Sequence, residues 1–550
     1  MRIGRILSSF ALVSLAFSAL QVNAGNISAT AARTAANNYL KQLTLTSPGK
    51  FKASALADLA LTHVEPSASI KGANDYYAFN IKGGGFVIVA GEDRATPVLG
   101  YSDRGCLDFA HLPAPLQDLL NDYKREIEFL QTYEGNDLIH VEATSFNATS
   151  GVDPLITTTW GQEMPYYLQC PIYRGEYCVV GCIATAMAQV MNYWQYPTSS
   201  ASISGFNSYT IGQVGALPAT TFDYSLMLDS YCHWDWDNSI LVQDVYTDEQ
   251  AQEVAKLGRY CGQAVQMAYS PDGSGANTYS QLSAMKKFGY TNAARATKGY
   301  NSTSQWDNTL KAELDAGRPI LYSANDPNDA GHAFICDGYN NNGYFHFNLG
   351  WYGTCDGWYT TSALQMVHRE GGQLNFSSGH EIVYKLEPSN YCIMNAESVD
   401  ADKGMFILGD DLYAVANNVT MRTSYTNVNL MFTLTDENGT VLSSGNGGSI
   451  SKSTFVQGST VGCKINLPTE LPQGSYNLAF NYYTTNANTL TPVATSQGKL
   501  VVVGHMAKFD GAFDIDDVTT VVNYALGASH KGVPVDIDDI TALINLILSN

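Results

Sequence analysis

Leu116, Leu119, Leu120, Tyr123, Ile127 and Leu130 recur three and four apart, which puts them on one stripe of a helix that Pro115 suits as an opening residue. Upstream the pattern changes. Tyr76 to Ile81 and Phe86 to Ala90 are apolar-rich runs on either side of Gly83-Gly84-Gly85, a hairpin signature. Ser28 to Gln42 is rich in Ala and helical in character. This first segment therefore reads as α+β, with the apolar stripe of the later helix expected to pack on the hairpin. Beyond Pro388 the pattern becomes short strands broken by turns, such as Leu430 to Thr435, then Asp436-Glu437-Asn438-Gly439, then Thr440-Val441-Leu442. Roughly 115 residues of this predict an immunoglobulin-like β-sandwich, a fold that carries no function by itself and reads best as a spacer or folding accessory.

Breaks in the pattern divide the chain. Arg2 and Arg5, the apolar run Ile6 to Leu20 and Gln21-Val22-Asn23-Ala24 have the form of a secretory signal peptide. Its apolar core is shorter than the roughly 20 residues a membrane-spanning helix needs, and no later run is longer, so no span is expected. Between Glu142 and Asp153 periodicity disappears into small polar residues, the character of an exposed linker open to proteolysis. Near the end, Phe513-Asp514-Ile515-Asp516-Asp517-Val518-Thr519 returns as Val535-Asp536-Ile537-Asp538-Asp539-Ile540-Thr541, each copy followed by an apolar helix. The repeat resembles a dockerin-like pair of calcium loops. With Asp517 and Asp539 as the last loop ligands, the earlier ligand positions fall on Met506, Lys508 and Asp510 and on Ala528, His530 and Gly532, a poor oxygen set. Packing without calcium, or with calcium held weakly, is the expectation. The domains expected are a signal peptide over 1–24, a proregion over 25–150, a central domain over 151–388, the sandwich over 389–503 and a degenerate dockerin-like helical repeat over 504–550.

Composition narrows the partners. The 550 residues are 45% hydrophobic and 15% charged, with 30 Lys and Arg against 51 Asp and Glu and a net charge of −21. Such a chain is repelled by phosphate, which excludes nucleic acid or an anionic membrane as the main partner. Ten cysteines are too few for a disulfide scaffold in a chain of this length, and Cys182 and Cys336 lie inside apolar runs. Cys170, Cys178 and Cys182 have the wrong spacing for a structural zinc site.

The chemistry is concentrated in three segments. From Cys182 onward, Ile183, Met187, Val190 and Trp194 form a helical stripe, and Gly181 allows a sharp turn just before it, so Cys182 is expected at a helix N-terminus. There the helix dipole and open N–H groups favour a thiolate, and a neighbouring imidazolium would lower its pKa further. Gly331-His332-Ala333-Phe334-Ile335-Cys336-Asp337-Gly338-Tyr339 reads as a strand whose hairpin partner is Tyr344 to Trp351. The order Cys182, His332, Asn348 and their separations fit a nucleophile, a general acid–base and an amide that orients the imidazole, the arrangement of papain-like proteases. His346 competes for the base role, since alternation puts it on the same strand face as Tyr344 and Asn348, away from Phe345, Phe347 and Leu349. His332 is favoured because it leaves Asn348 free to fix its tautomer. The oxyanion of acyl transfer needs two donors, expected from the backbone N–H of Cys182 and the side-chain amide of Gln162, which requires the loop holding Cys170 and Pro171 to fold back.

Trp160-Gly161-Gln162, Cys170-Pro171, Gly181-Cys182-Ile183-Ala184-Thr185-Ala186-Met187-Ala188-Gln189, Gly331-His332-Ala333-Phe334 and Phe345-His346-Phe347-Asn348-Leu349-Gly350-Trp351 together resemble the streptopain family of secreted cysteine peptidases over 154 to about 388. Tyr76 through Gly100-Tyr101-Ser102-Asp103 resembles that family's inhibitory propeptide. The resemblance implies a papain-like catalytic domain behind an α+β propeptide, with Cys182 as nucleophile and His332 as base. It also implies Trp351 and Gly331 at the substrate, a preference for apolar side chains before the scissile residue, and no cofactor. The family usually has Trp directly after the Asn and Gly after the later Trp, whereas this chain has Leu349 and Tyr352, a change expected to affect rate rather than mechanism.

A secreted or cell-surface zymogen is therefore expected, acting on proteins or peptides, inhibited by its own proregion and cleaved in the 142–153 linker. A cohesin-like or cell-surface partner is expected for the terminal module. Two rivals remain open: an inert surface-binding or scaffold-docking protein, and an acyl transferase of the transglutaminase kind using the same residues.

Overall fold

The structure, a computed structural model, describes residues 25–46, 58–134, 138–140, 151–235, 240–299, 303–324, 331–364, 366–368, 379–389, 391–402, 405–406, 411–436, 438–467, 474–484, 487–496 and 498–502. The signal segment, most of the 142–153 linker and the terminal repeat lie outside these residues. The chain divides into two compact units at Glu387 and Pro388.

The first unit is organised by one ten-stranded sheet. In chain order its strands are β1 (Leu59–Pro66), β2 (Asn74–Ile81), β3 (Phe86–Ala90), β4 (Val98–Ser102), β5 (Ala294–Thr297), β6 (Ile320–Ala324), β7 (His332–Tyr339), β8 (Phe345–Asn348), β9 (Gly357–Tyr359) and β10 (Glu381–Tyr384). Across the sheet the order is β1-β2-β3-β4-β9-β8-β7-β6-β10-β5. The seam is antiparallel pairing of β4 with β9, Tyr101 opposite Trp358 and Gly100 opposite Tyr359. A proregion separated by a linker reads as its own body in the sequence; here it completes the sheet of the central domain. Joining β4 to β9 occupies the backbone groups that an open strand edge would leave unpaired.

Alternation along the hairpin gives the sheet two apolar faces. Tyr77, Phe79, Val87 and Val89 meet Ala32, Ala36, Leu40 and Leu43 of helix α1 (Ala29–Thr46). Tyr76, Ala78, Phe86 and Ile88 meet Leu116, Leu119, Leu120, Tyr123, Ile127 and Leu130 of helix α2 (Ala114–Thr132), as the stripe predicts. The same cluster continues into Phe334, Phe345, Phe347 and Leu349, so α2 also covers the central domain's strands. Helix α3 (Cys182–Trp194) is buried on nearly all sides, which suits its Ala- and Met-rich sequence. It packs against β7 and helix α4 (Asp248–Ala264). Thr247 and Gln250 close the start of α4 as a reciprocal capping box.

The second unit is all-β over its described residues. One sheet runs in the order Ser459–Asn466, Asp411–Thr423, Cys392–Ala401, Ala494–Ser496; the other includes Met405–Phe406, Gly498–Val502, Gly474–Thr484, Asn427–Thr435 and Val441–Ser451, with Ala487–Pro492 paired to Gly474–Thr484. Met394, Leu412, Ala414 and Ile465 of the first sheet share a core with Leu430, Phe432, Leu478 and Phe480 of the second. The Phe432 and Phe480 rings lie 4.8 Å apart.

Candidate active site

Gly181 has φ near +90°, and a Cβ there would lie 2.7 Å from Met267 Cε and 2.9 Å from the Ser274 carbonyl. Only glycine fits both the conformation and the space, and the turn it makes delivers Cys182 as the first residue of α3. The N-cap Gly181 has no side chain to cap that helix, which leaves its first-turn amides to the Cys182 sulfur. Cys182 is partly exposed as a residue, but its sulfur is enclosed. The Ala333 N–H donates to Sγ at 3.5 Å, which sets the thiol against the opening of β7, one residue from His332.

The expectation of a depressed thiol pKa does not hold in this form. Burial pushes the Cys182 pKa up; the amides of Ala333, Ile183 and Cys182 itself oppose this, while the Asp118 carboxylate adds to it. Burial is the main cause, and the smaller contribution of Asp118 is visible at His332. Its Nδ1 lies 2.9 Å from Asp118 Oδ2, a carboxylate on α2 that is 7% exposed. The imidazole is thus paired with the proregion, and a negative charge stands near the sulfur where a positive one was expected.

Asp118 belongs to a row. Asp122 and Glu126 follow at four-residue spacing, and both are buried. Asp122 makes a close contact with His380 Nε2 and with the Arg125 guanidinium, and His380 Nδ1 lies 2.8 Å from the Tyr322 hydroxyl. Glu126 accepts from Ser362 Oγ at 3.0 Å and from the Ala363 N–H at 2.5 Å. Nothing in the apolar periodicity singles these carboxylates out, although three acids four apart beside an apolar stripe was a readable signal that the helix covers a polar site.

Asn348 stands away from the role predicted for it in this form. Its Oδ1 accepts from Gln189 Nε2 at 3.1 Å and from the Gly350 N–H at 3.1 Å, and its Nδ2 donates to the Thr158 carbonyl at 2.7 Å. Its buried amide therefore ties α3 to the strand end, while Asp118 occupies His332 Nδ1. Gln189 also accepts from Thr158 Oγ1 and from the Trp160 N–H, so it joins the Trp160 segment to Asn348, a junction the sequence reading missed. His346 turns to Asp337 at 2.7 Å and sits edge-on to Trp358. Burial disfavours its charged form, yet the Asp337 carboxylate prevails and raises its pKa. The face split expected along β8 is present, with Phe345, Phe347 and Leu349 sharing one core.

Gln162 is brought back to the nucleophile. Its carbonyl accepts the Val180 N–H at 3.0 Å, and Thr185 Oγ1 donates to the Gly161 carbonyl at 3.4 Å. The loop through Cys170 and Pro171 therefore returns to the start of α3. Trp351 packs partly buried against the main core, and among the described residues its indole N–H has no acceptor. Gly331 immediately precedes β7. All ten cysteines are free thiols, and no cluster of His, Cys, Asp and Glu suited to a metal occurs among the described residues.

Residues 160–359 match the Peptidase C10 family and residues 24–127 match the Spi protease inhibitor family. The thiol protease/hemagglutinin PrtT of Porphyromonas gingivalis is 27% identical over 70% of this chain, which spans only 44% of that relative's length. Streptopain of Streptococcus pyogenes serotype M1 is 26% identical over 60% of this chain and 85% of its own. Among solved structures, active interpain A of Prevotella intermedia is 30% identical, with 45% of this chain and 98% of that one covered and a TM-score of 0.37. A prointerpain A fragment from the same organism is 29% identical, with 59% and 98% covered and a TM-score of 0.47.

Proposed function

This chain belongs to the Peptidase C10 family of cysteine peptidases, and on that premise we propose that it is a secreted endopeptidase captured here as its self-inhibited zymogen. The observation that carries the reading is the pairing of His332 with Asp118 beside a thiol bonded to the Ala333 amide. The Cys182 sulfur lies against the residue that follows His332, and an acid of the inhibitor segment holds the His332 imidazole.

In the working cycle, departure of the 25–150 segment takes Asp118 away, and His332 turns to Cys182. The proton of the thiol passes to the imidazole, leaving a thiolate–imidazolium pair. The thiolate attacks the peptide carbonyl, and the oxyanion is held by the Cys182 N–H and the Gln162 side chain. His332 gives its proton to the leaving amine as the C–N bond breaks. Water, deprotonated by His332, then cleaves the thioester and restores the thiol. Asn348 serves the site from behind, through Gln189 and the Trp160 segment, and Trp351 and Gly331 border the substrate. Apolar residues are preferred before the scissile bond.

The all-β unit is proposed to be an immunoglobulin-like sandwich and the 504–550 repeat a dockerin-like module with a cohesin-like or cell-surface partner. Export follows from the 1–24 signal segment; no helix among the described residues is long and apolar enough to cross a membrane. The test is maturation of purified Cys182→Ala. The variant is expected to stay full length without added protease, while wild type cuts itself within 142–153. Self-processing of the variant at the wild-type rate would overturn the proposal.

A further inference from the structure

We propose that Tyr352 is a positioning residue for the oxyanion donor Gln162, an inference that rests on the role given to Gln162 above. Tyr352 stands where the resemblance leads one to expect glycine. It keeps glycine's backbone, with φ near +58°, a region non-glycine residues seldom occupy. Its ring packs 6.2 Å from that of Tyr166, and three further contacts fall on the Trp160-Gly161-Gln162 segment or its next residue. Its N–H faces the Trp160 carbonyl at 3.5 Å. Its ring lies over Gly161, where a Cβ would stand 2.1 Å from Tyr352 Cε1. Its hydroxyl oxygen accepts the Glu163 N–H at 3.1 Å.

Backbone and side chain of Tyr352 together thus span the segment from Trp160 to Glu163. Gln162 is otherwise anchored through its carbonyl to Val180, and the peptide plane before it is held by the 3.4 Å bond from Thr185 Oγ1 to the Gly161 carbonyl. The Tyr352 ring over Gly161 and its hydroxyl on the Glu163 N–H clamp the backbone on both sides of Gln162. An oxyanion donor acts only if it waits where the charge will develop, and small displacements are costly in rate. Tyr352 touches no reacting atom; it acts through Gln162. Gly161 is the complementary half of the device, since any side chain there would displace the ring.

The test uses the matured enzyme from the full chain, with Tyr352→Phe, Gln162→Ala and the double variant compared on a peptide substrate. Gln162→Ala is expected to lose about 10²-fold in kcat. Tyr352→Phe, which removes only the hydroxyl, is expected to lose about tenfold in kcat with KM unchanged and thermal stability retained. The double variant is expected to be no slower than Gln162→Ala alone, because a positioning contact is worthless once its client is gone. If Tyr352→Phe keeps full kcat while Gln162→Ala is impaired, or if the two losses multiply, the inference is overturned and the oxyanion assignment stands. If Gln162→Ala itself keeps full kcat, both fall. Should Tyr352→Phe fail to fold, Gly161→Ala reads the same device by displacing the ring, and a kcat equal to wild type in that variant overturns the inference.

Discussion

Asp118 Oδ2 lies 2.9 Å from His332 Nδ1, joining a helix of the inhibitor segment to the base of the candidate site across 214 positions of sequence. A carboxylate that holds an imidazole in this way opposes catalysis twice. It occupies the nitrogen, and its charge raises the pKa of the nearby Cys182 thiol.

Replacing that carboxylate with an amide keeps the shape and removes the charge. A charge-assisted hydrogen bond of this kind contributes about 1.5–3 kcal/mol. Asp118→Asn zymogen is therefore expected to react with iodoacetamide at Cys182 about tenfold faster than wild type, and to mature sooner. The alkylation rate, followed by mass spectrometry at fixed pH, checks this; equal rates would remove Asp118 from the account of latency.

The seam between inhibitor segment and peptidase is tight at Gly100. A Cβ there would lie 2.4 Å from Tyr359 Cδ1 and 3.2 Å from the Trp358 carbonyl. Gly100→Ala is expected to weaken the docked proregion by about 1–3 kcal/mol without altering any residue of the peptidase itself. Mixing the separately produced inhibitor segment with mature enzyme reads the effect as a rise in inhibition constant, and an unchanged constant counts against the seam.

Burial lifts the Glu126 carboxyl to about 7, against the opposing pull of Lys298, Ser362 and Ala363, with Asp122 adding to the rise. A raised carboxyl favours the folded form while protonated. Its contribution is complete below the ordinary glutamate value and is lost as pH climbs through about 7. The zymogen is therefore expected to melt at falling temperature from pH 5 to 8, with a Glu126 share on the order of 3 kcal/mol. Asp356 and Asp307, also raised by burial to about 7 and about 6, act in the same direction. They remain in Glu126→Gln, so a flatter melting curve in that variant isolates the Glu126 share. A curve parallel to wild type would show that the carboxyl is already ionised at pH 5.

Asn348 separates two roles that sequence merges. Its amide is buried and bonds Gln189, Thr158 and Gly350. Asn348→Ala leaves those groups unsatisfied and is expected to cost about 1–3 kcal/mol of stability in the zymogen, before any activity is assayed. Urea unfolding of the latent form measures it. A variant as stable as wild type would return Asn348 to the purely orienting role.

Much of the site was legible because local rules applied. Gly181 had to turn, Cys182 had to open an apolar helix, and the alternation of β8 had to divide Phe345 from His346. Spacing could not show that β4 would seal onto β9, since strand pairing over such distances is set by which edge is left open. Nor could it show that His332 would face Asp118 in place of Asn348, because that partner comes from a segment read as a separate body. The thiol pKa differs from expectation chiefly because the sulfur is buried, and secondarily because the inhibitor helix brings a carboxylate near it.

The most direct measurement is active-site titration of the matured enzyme with an irreversible epoxide or vinyl-sulfone peptide, with the labelled residue located by mass spectrometry and residual peptidase activity followed in parallel. One equivalent attached at Cys182, with hydrolysis falling in step with labelling and the zymogen reacting far more slowly, is the predicted result. Full labelling of Cys182 with hydrolysis undiminished would contradict the account at its centre.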